Sequence, residues 1–564
     1  MGIFFSYSRE KQRDSCRKRH VVDGCGEDVP VRKRIRSTYD YVYRELFCKG
    51  EGSDLTVNAL NQKWQLHRLY VKQSPFFAAM LEGGWKESGC NEIELELSDP
   101  NITNASLNTV FGSFYRDTVL LSETTVLSVL AAATWFHLED IRILCSEFME
   151  RRLCFRNVVE FNQIAKQYNL SSLSRSTIKW MAENVLLLDE CKASYDFLRK
   201  IPVELMRETI EQPDLVVVQL EQDVFLLLLK WVYLQNHPDY EFRPDVRLLE
   251  DGYAFFTSKS STYLETAEGA VYAPAFRAIR WEYVLNVYKT TERMIRDRIV
   301  PEAWISHVFC RQWMRVLHTH DLLTGYLRSS PSGGNIHNGS PNDSPSSHSR
   351  IRTTLTSREV TSQLAASQDS SPVHNASDVG EPGPPGDLPE TVFWATSERC
   401  GRRMNSADVT CSWRWTGYHF GFDLVVKYKR RTFSVIRFTD NQSAEGSVSH
   451  APRLRLLIAL RVKSILSNPV ESDVQPADLD TLVDVVDGTG SVNGNGNNNS
   501  SISISTPGVL SLSLEENVLH EVLRLPDHFL FPAVVSANLL RYDPIGWNSY
   551  VDETSSLTDI NQYS

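Results

Sequence analysis

The sequence predicts a multidomain α+β protein, and three changes of hydrophobic period along its 564 residues carry that prediction. Between Ser53 and Phe114, two-residue alternation gives way to helical spacing. From Asn157 to Leu317, apolar residues recur at helical intervals. Beyond Phe393 alternation returns, in short runs separated by glycine. A chain of this length exceeds what a single core supports and divides into several domains. Its 42% hydrophobic and 10% aromatic content is that of a folded soluble protein.

Leu55, Val57 and Ala59 alternate with polar residues, the signature of a strand with one buried face. Asn61-Gln62 is the expected turn, and Trp64 and Leu66 sit on the apolar face of a second strand. His67 lies on this otherwise apolar strand and is expected to be a hydrogen-bonded core residue without chemistry. Ser74 is a good N-cap with Pro75 at the first helical position, followed by Phe77, Met80 and Leu81 at helical spacing. Ile93, Leu95 and Leu97 alternate with Glu94 and Glu96, and Leu107, Val110, Phe111 and Phe114 mark a further helix. Upstream, Thr38 to Phe47 places Tyr39, Val42, Tyr43 and Leu46 on one helical face.

This order of elements resembles a BTB (POZ) α/β domain over residues 38–150. The matching residues are Ser53-Asp54-Leu55-x-Val57, Ser74-Pro75-Phe76-Phe77, Tyr115-Arg116-Asp117, and the helix Val126–Ala133 ending in Phe136-x-Leu138. The resemblance implies a homodimer, with Tyr39, Tyr43 and Leu46 at the dimer interface. It also implies binding of cullin-3, the scaffold of a ubiquitin ligase. BTB domains that bind cullin-3 carry a hydrophobic residue, any residue, then Glu just after the Ser74-Pro75 helix. Trp85-Lys86-Glu87 fits, with Trp85 in the hydrophobic slot, Glu87 in the acidic one, and Tyr115 as an added contact. A large aromatic followed by charges at a helix end is also ordinary packing; its position in the domain favours docking.

Residues 151–325 are expected to be helical. Val158, Phe161, Ala165 and Tyr168 form one stripe, and Leu173, Ile178, Met181 and Val185 a second. Ile201-Pro202 opens a helix with Leu205 and Ile210, and Glu221, Val224, Leu228 and Trp231 mark another. This stretch resembles the BACK domain that follows BTB in cullin-3 adaptors. Leu264 to Pro274 is expected as strand or turn, Phe276 to Val287 as a helix, and Trp304 and Trp313 continue the helical layer. Residues 326–390, rich in Ser, Pro, Gly, Asn and Asp, carry too few large apolar residues to order themselves and are expected to be a disordered linker. Its Ser330-Pro331, Ser340-Pro341, Ser344-Pro345 and Ser371-Pro372 pairs are candidate phosphorylation sites.

Residues 391–545 are expected to form a mainly-β domain, on the alternation in Leu424–Tyr428, Phe433–Phe438 and Leu454–Val462 and a last strand or two in Val522–Val535. Within it, 483–507 is the expected disordered insertion, and 546–564 a tail. Trp413 and Trp415 are candidate substrate contacts, although aromatics in such a module are more often core. Residues 1–37 are an expected disordered basic arm. Met1-Gly2 with Ser6 matches the N-myristoylation pattern at Gly2. The clusters Arg17-Lys18-Arg19 and Arg32-Lys33-Arg34 read as a nuclear localisation signal, or as the basic patch that stabilises a single acyl chain on a membrane.

The net charge of -11 argues against a general nucleic-acid footprint. Ten cysteines without a paired framework point to a reducing compartment. Cys400, Cys411 and His419 do not have zinc-site spacing and are expected as buried thiols and an ordinary histidine. No run is long enough to span a bilayer, and Ile3-Phe4-Phe5 is too short for a signal-peptide core. Nothing resembles a nucleophile with its base, a phosphate loop or a metal cluster, so neither enzyme activity nor a cofactor is expected.

Cys400-Gly401-Arg402-Arg403 and Trp413-Arg-Trp415-Thr-Gly417-x-x-Phe-Gly421-Phe-Asp423 are not general BTB features. With Gly84-Trp85-Lys86-Glu87-Ser88 and Phe111-Gly112-Ser113, they resemble the germ cell-less family; no kelch-type repeat is found. The resemblance implies a cullin-3 adaptor whose C-terminal domain captures a protein substrate, located in the nucleus at its envelope, membrane-attached through Gly2, and needed in germ-cell formation. The alternative is a nuclear-envelope scaffold or transcriptional co-regulator acting through the BTB dimer.

Overall fold

A computed structural model describes residues 38–285, 288–329, 389–407, 410–416, 423–438, 454–465, 484–486, 503–515 and 517–542. The described residues divide into two compact units: those within 38–121, 128–139 and 484–486 form the first, and those within 122–127, 140–465 and 503–542 the second.

In the first unit, α1 (Thr38–Val42) runs into a π-type turn over Tyr43–Cys48. Strands β1 (Leu55–Ala59) and β2 (Gln62–Leu66) form an antiparallel hairpin with Leu55 opposite Leu66. Its turn is Leu60-Asn61, both at positive φ, so Gln62 belongs to β2 and not to the expected Asn61-Gln62 turn. A two-residue turn of this hand follows the twist of the strands it joins. After α2 (Arg68–Val71) comes α3 (Pro75–Glu82), where the Ser74 hydroxyl accepts from the Phe77 N–H and donates to the Phe136 carbonyl at 2.7 Å. Strand β3 (Glu92–Leu95) joins β1 in parallel, giving the order β2-β1-β3. Helix α4 (Asn104–Ser113), strand β4 (Val119–Leu121) and helix α5 (Val126–Trp135) complete the unit. Its core joins Leu55, Val57, Leu66 and Ile93 to an aromatic cluster in which Phe77 stacks on Phe136 and Trp64 meets Phe111 edge-on.

The second unit opens with α6 (Glu139–Arg151), α7 (Val158–Gln167), α8 (Ser171–Asn184), α9 (Lys192–Lys200), α10 (Val203–Ile210), α11 (Gln222–Asn236) and α12 (Asp245–Thr257). The stripes expected on α7 and α10 are buried, and Trp231 of α11 sits at the centre of their shared core. Leu264 to Pro274 holds two 3-10 turns. The single helix expected over Phe276 to Val287 is broken into α13 (Ala273–Arg277) and α14 (Trp281–Val284). Arg280 between them leaves helical geometry, and its guanidinium is engaged by the carbonyls of Ser397 and Trp394. After α15 (Tyr288–Asp297), α16 (Glu302–Ser329) runs past 326, where the linker was expected to begin. Residues 330–388 of that linker lie outside the described residues, and its expected last residue, Glu390, opens a helix.

Helix α17 (Glu390–Thr396) leads into a β-module. Its strands are β5 (Glu398–Met404), β6 (Cys411–Thr416), β7 (Asp423–Lys429), β8 (Thr432–Phe438) and β9 (Leu454–Ser464). After β10 (Asp484–Val486) come β11 (Ser503–Ser505), β12 (Leu510–Leu514), β13 (Leu519–Arg524) and β14 (Ala533–Tyr542). One sheet has the order β11-β9-β14-β5, with β12 also on β9, and the other β13-β8-β7-β6. Leu424, Val426, Tyr428 and Val435 of the second sheet share a core with Leu456, Ile458, Leu460 and Val535 of the first. Within the expected disordered insertion 483–507, Asp484–Val486 and Ser503–Ser505 are strands, and residues 487–502 lie outside the described residues. Ser503–Ser505 pairs with β9, and β10 pairs antiparallel with β4 and is counted with the first unit.

The helices from α7 onward and the β-module belong to one unit and meet along a polar seam. The Arg399 guanidinium pairs with both carboxylate oxygens of Glu221 and donates to the carbonyls of Ile210 and Gln212 at 2.9 and 3.1 Å. These side chains are 1% and 0% exposed. Gly401 N–H donates to the Gln219 carbonyl at 3.0 Å, and a Cβ at Gly401 would collide with the Val217 carbonyl oxygen. Lys463 reaches Glu183 at 3.0 Å and Arg461 reaches Asp214 at 2.9 Å.

Candidate functional site

Helix α3 stops at Gly83-Gly84, and the chain turns over Lys86–Gly89 before entering β3. Gly84 has φ +71°, a left-handed conformation that glycine adopts without steric cost. Gly83 has a different reason to be small: an added Cβ would collide with the Trp85 indole and with the Ala79 carbonyl oxygen at the end of α3. The turn is held from below. Ser88 Oγ accepts from the Trp85 N–H at 3.1 Å and donates to the Met80 carbonyl at 2.9 Å. Arg68 donates to the Ser88 carbonyl at 3.0 Å and to that of Cys90, while its own N–H is held by Asp54 at 2.8 Å.

Trp85 is 66% exposed on this braced turn. It borders an open depression of about 420 Å³ with Phe76, Ala79, Met80, Ile93 and His137 among its lining, and Glu94 at its rim. Leaving a large aromatic in water is unfavourable, so the projecting indole is the most exposed apolar feature of this turn. Glu87 lies within the same turn, and its side chain is outside the described residues. The supporting roles of Gly83, Ser88 and Arg68 are not legible in the sequence. These residues act through backbone contacts that no periodicity encodes.

Tyr115 does not stand on this surface, contrary to expectation. It is 2% exposed, accepts the His67 N–H at 3.0 Å, and lies 3.1 Å from His67 Nδ1. Burial pushes its phenol up to about 12, so it stays neutral. His67 itself follows β2 instead of lying within it, and its Nε2 meets the Glu51 carbonyl at 2.9 Å. Both its ring nitrogens are thus occupied, but the residue is half-buried and not in the core as expected.

Of the expected dimer-interface residues, Tyr43 is half-buried against its own chain, 5.3 Å from Phe47 and covered by the Arg116 guanidinium at 4.3 Å. Leu46 is half-buried in the π-type turn, and the Tyr39 side chain lies outside the described residues. Two exposed apolar side chains that the periodicity did not single out are Tyr41 and Leu69. Gly2, Arg17, Lys18, Arg19, Arg32, Lys33 and Arg34 also lie outside the described residues. In the β-module Cys400 is a buried thiol, held neutral because burial raises it well above its ordinary value. Trp413 and Trp415 are on β6, with side chains outside the described residues, as are His419 and the Cys411 side chain. Among the described residues no group of His, Cys, Asp and Glu is placed to hold a metal ion.

Comparison with known proteins agrees with this organisation. Residues 43–153 match the model of the BTB/POZ domain family. The mouse Germ cell-less protein-like 1 is 32% identical over 445 residues, which cover 78% of this chain and 73% of that protein. The Drosophila melanogaster Protein germ cell-less is 27% identical over 556 residues, covering 93% and 82%. Kelch-like protein 40 of Xenopus laevis is 24% identical over 179 residues, 32% of this chain and 28% of that one. With a BTB domain, a helical layer and a β-module in one chain and likeness along most of its length, the chain belongs to the germ cell-less family.

Proposed function

We propose that this chain is a non-enzymatic substrate adaptor of a cullin-3 ubiquitin ligase. The first unit binds the cullin as a homodimer, and the β-module holds a protein substrate. The observation that carries the reading is the exposed indole of Trp85 on a braced turn, followed by Glu87 at the spacing that cullin-binding BTB domains use. Trp85 enters an apolar groove of the partner, and Glu87 supplies the charge that fixes register. Buried aromatic anchors dominate interfaces of this kind, while charged rims set specificity. The likeness to a kelch-like protein over 179 residues supports the same role. No bond need be broken by this chain. Holding a substrate beside a charged ubiquitin enzyme raises its effective concentration, and that suffices.

Titration of the full chain with the cullin-3 N-terminal domain in a calorimeter tests the reading. Wild type binds; Trp85→Ala loses about thirtyfold in affinity, and Glu87→Lys about tenfold or more. Folded wild type that gives no heat removes the cullin reading and leaves the dimer as a scaffold.

A further inference from the structure

The seam between the helical layer and the β-module is built differently from the contact of two tethered domains. Tethered domains meet through wet, largely polar surfaces that slide or part. Here the central ion pair, Arg399 with Glu221, is almost wholly removed from water, and each member is fixed by further bonds. Glu221 also accepts the Arg280 N–H at 3.1 Å, while Arg399 spends its remaining donors on the carbonyls of Ile210 and Gln212. The contact continues on both sides. Asn538 of β14 donates to the Pro213 carbonyl at 3.1 Å, and Tyr283 donates to that of Thr396 at 2.5 Å.

Apolar burial accompanies these bonds. Leu220 packs on the core of the β-module, while Leu215 and Val217 of the segment that receives Gly401 anchor it in the helical core. A side chain at Gly401 would hold that segment and β5 apart. Burying this apolar surface supplies the driving force. The ion pair, costly to bury unless matched, admits one register of the two surfaces and rejects others.

We infer that the β-module is held by the helical layer itself, as a permanent non-covalent partner, and that the covalent connection through residues 330–388 is not what positions it. The cognate surface for β5 and β14 is thus supplied by the chain's own residues 210–221. The inference stands whether or not cullin-3 is the partner of the first unit, since neither Trp85 nor the dimer enters it.

The test uses the full chain with a site-specific protease sequence inserted between Ser346 and Ser347. The protein is folded and purified, then cut, and the pieces are followed by size-exclusion chromatography with mass detection. Wild type stays a one-to-one complex of its two pieces at about 1 µM. Because cleavage follows folding, separation of the wild-type pieces would overturn the inference directly. In the same format, Arg399→Met leaves Glu221 to be buried without its partner and weakens association about a hundredfold or more. The double variant Glu221→Leu, Arg399→Met removes both charges and recovers at least tenfold of that loss. A double variant that parts as readily as the single one, or a single variant that holds like wild type, would overturn the role given to the pair.

Discussion

Glu398 sits on β5 beside Arg399, 4% exposed, and its Oε2 has no hydrogen-bond partner among the described residues. Burial, reinforced by the nearby Glu221 carboxylate, raises its carboxyl from the ordinary value to about 8. A carboxyl whose folded value lies above its unfolded one binds its proton more tightly when folded. The stability it contributes is complete below about pH 4.5 and is lost as pH rises through about 8, with a limiting slope of about 1.4 kcal/mol per pH unit. Glu398→Gln keeps the shape and removes the titration. The variant should therefore gain on wild type as pH is raised from 5 to 8, measured by denaturant unfolding of the second unit. Parallel stability curves across that range would mean that Glu398 is ionised in the folded protein. Arg280 faces the matching problem: burial and the adjacent Arg399 lower it to about 9, so it keeps its charge across the same range.

At the scale of elements, the end of α3 decides where Trp85 stands. Gly83→Ala should displace the indole and lower cullin-3 affinity about tenfold or more in the same calorimetric titration. Gly89→Ala, in the same turn but with nothing within 4 Å of the added carbon, should leave affinity unchanged. Wild-type affinity in a folded Gly83→Ala variant would show that Trp85 placement does not matter. Helix α3 was legible because Ser74-Pro75 is a start signal written in adjacent residues, β1 because it alternates over its own length, and β9 because Leu456–Leu460 is a short continuous apolar run. The β1–β2 turn was misplaced by one residue because it puts Leu60, not a glycine or asparagine, at positive φ. Strand β11 was hidden because Ser-Ile-Ser adjoins an asparagine-rich stretch and depends on β9 for its pairing. Tyr115 is buried, where the resemblance implies a surface contact, because its hydroxyl is taken up by His67 inside the domain. The seam was illegible for a different reason. Arg399 and Glu221 are 178 residues apart, and each looks like an ordinary surface charge in its own segment.

At the scale of the whole molecule, the helices and the β-module form one unit, so damage to one should be felt in the other. Trp231 offers a test remote from the seam's charges. It is fully buried in the helical core, and its indole N–H donates to the Ile201 carbonyl at 3.1 Å. Replacing a buried tryptophan by alanine costs about 3–5 kcal/mol. Two domains joined only by a tether would confine that loss to the helices, and the amides of β9 and β14 would keep their protection. In a single cooperative unit, opening of the helices takes with it the surface on which β5 rests. Hydrogen exchange of Trp231→Ala in the full chain should then rise together in α11, β9 and β14, while β1–β3 of the first unit keep wild-type protection. Faster exchange in α11 with β14 unchanged would show that the seam does not transmit stability. Concerted loss would mean that whatever surface the β-module offers a substrate is rigidly linked to the helices, and that the module's orientation is set when the second unit folds.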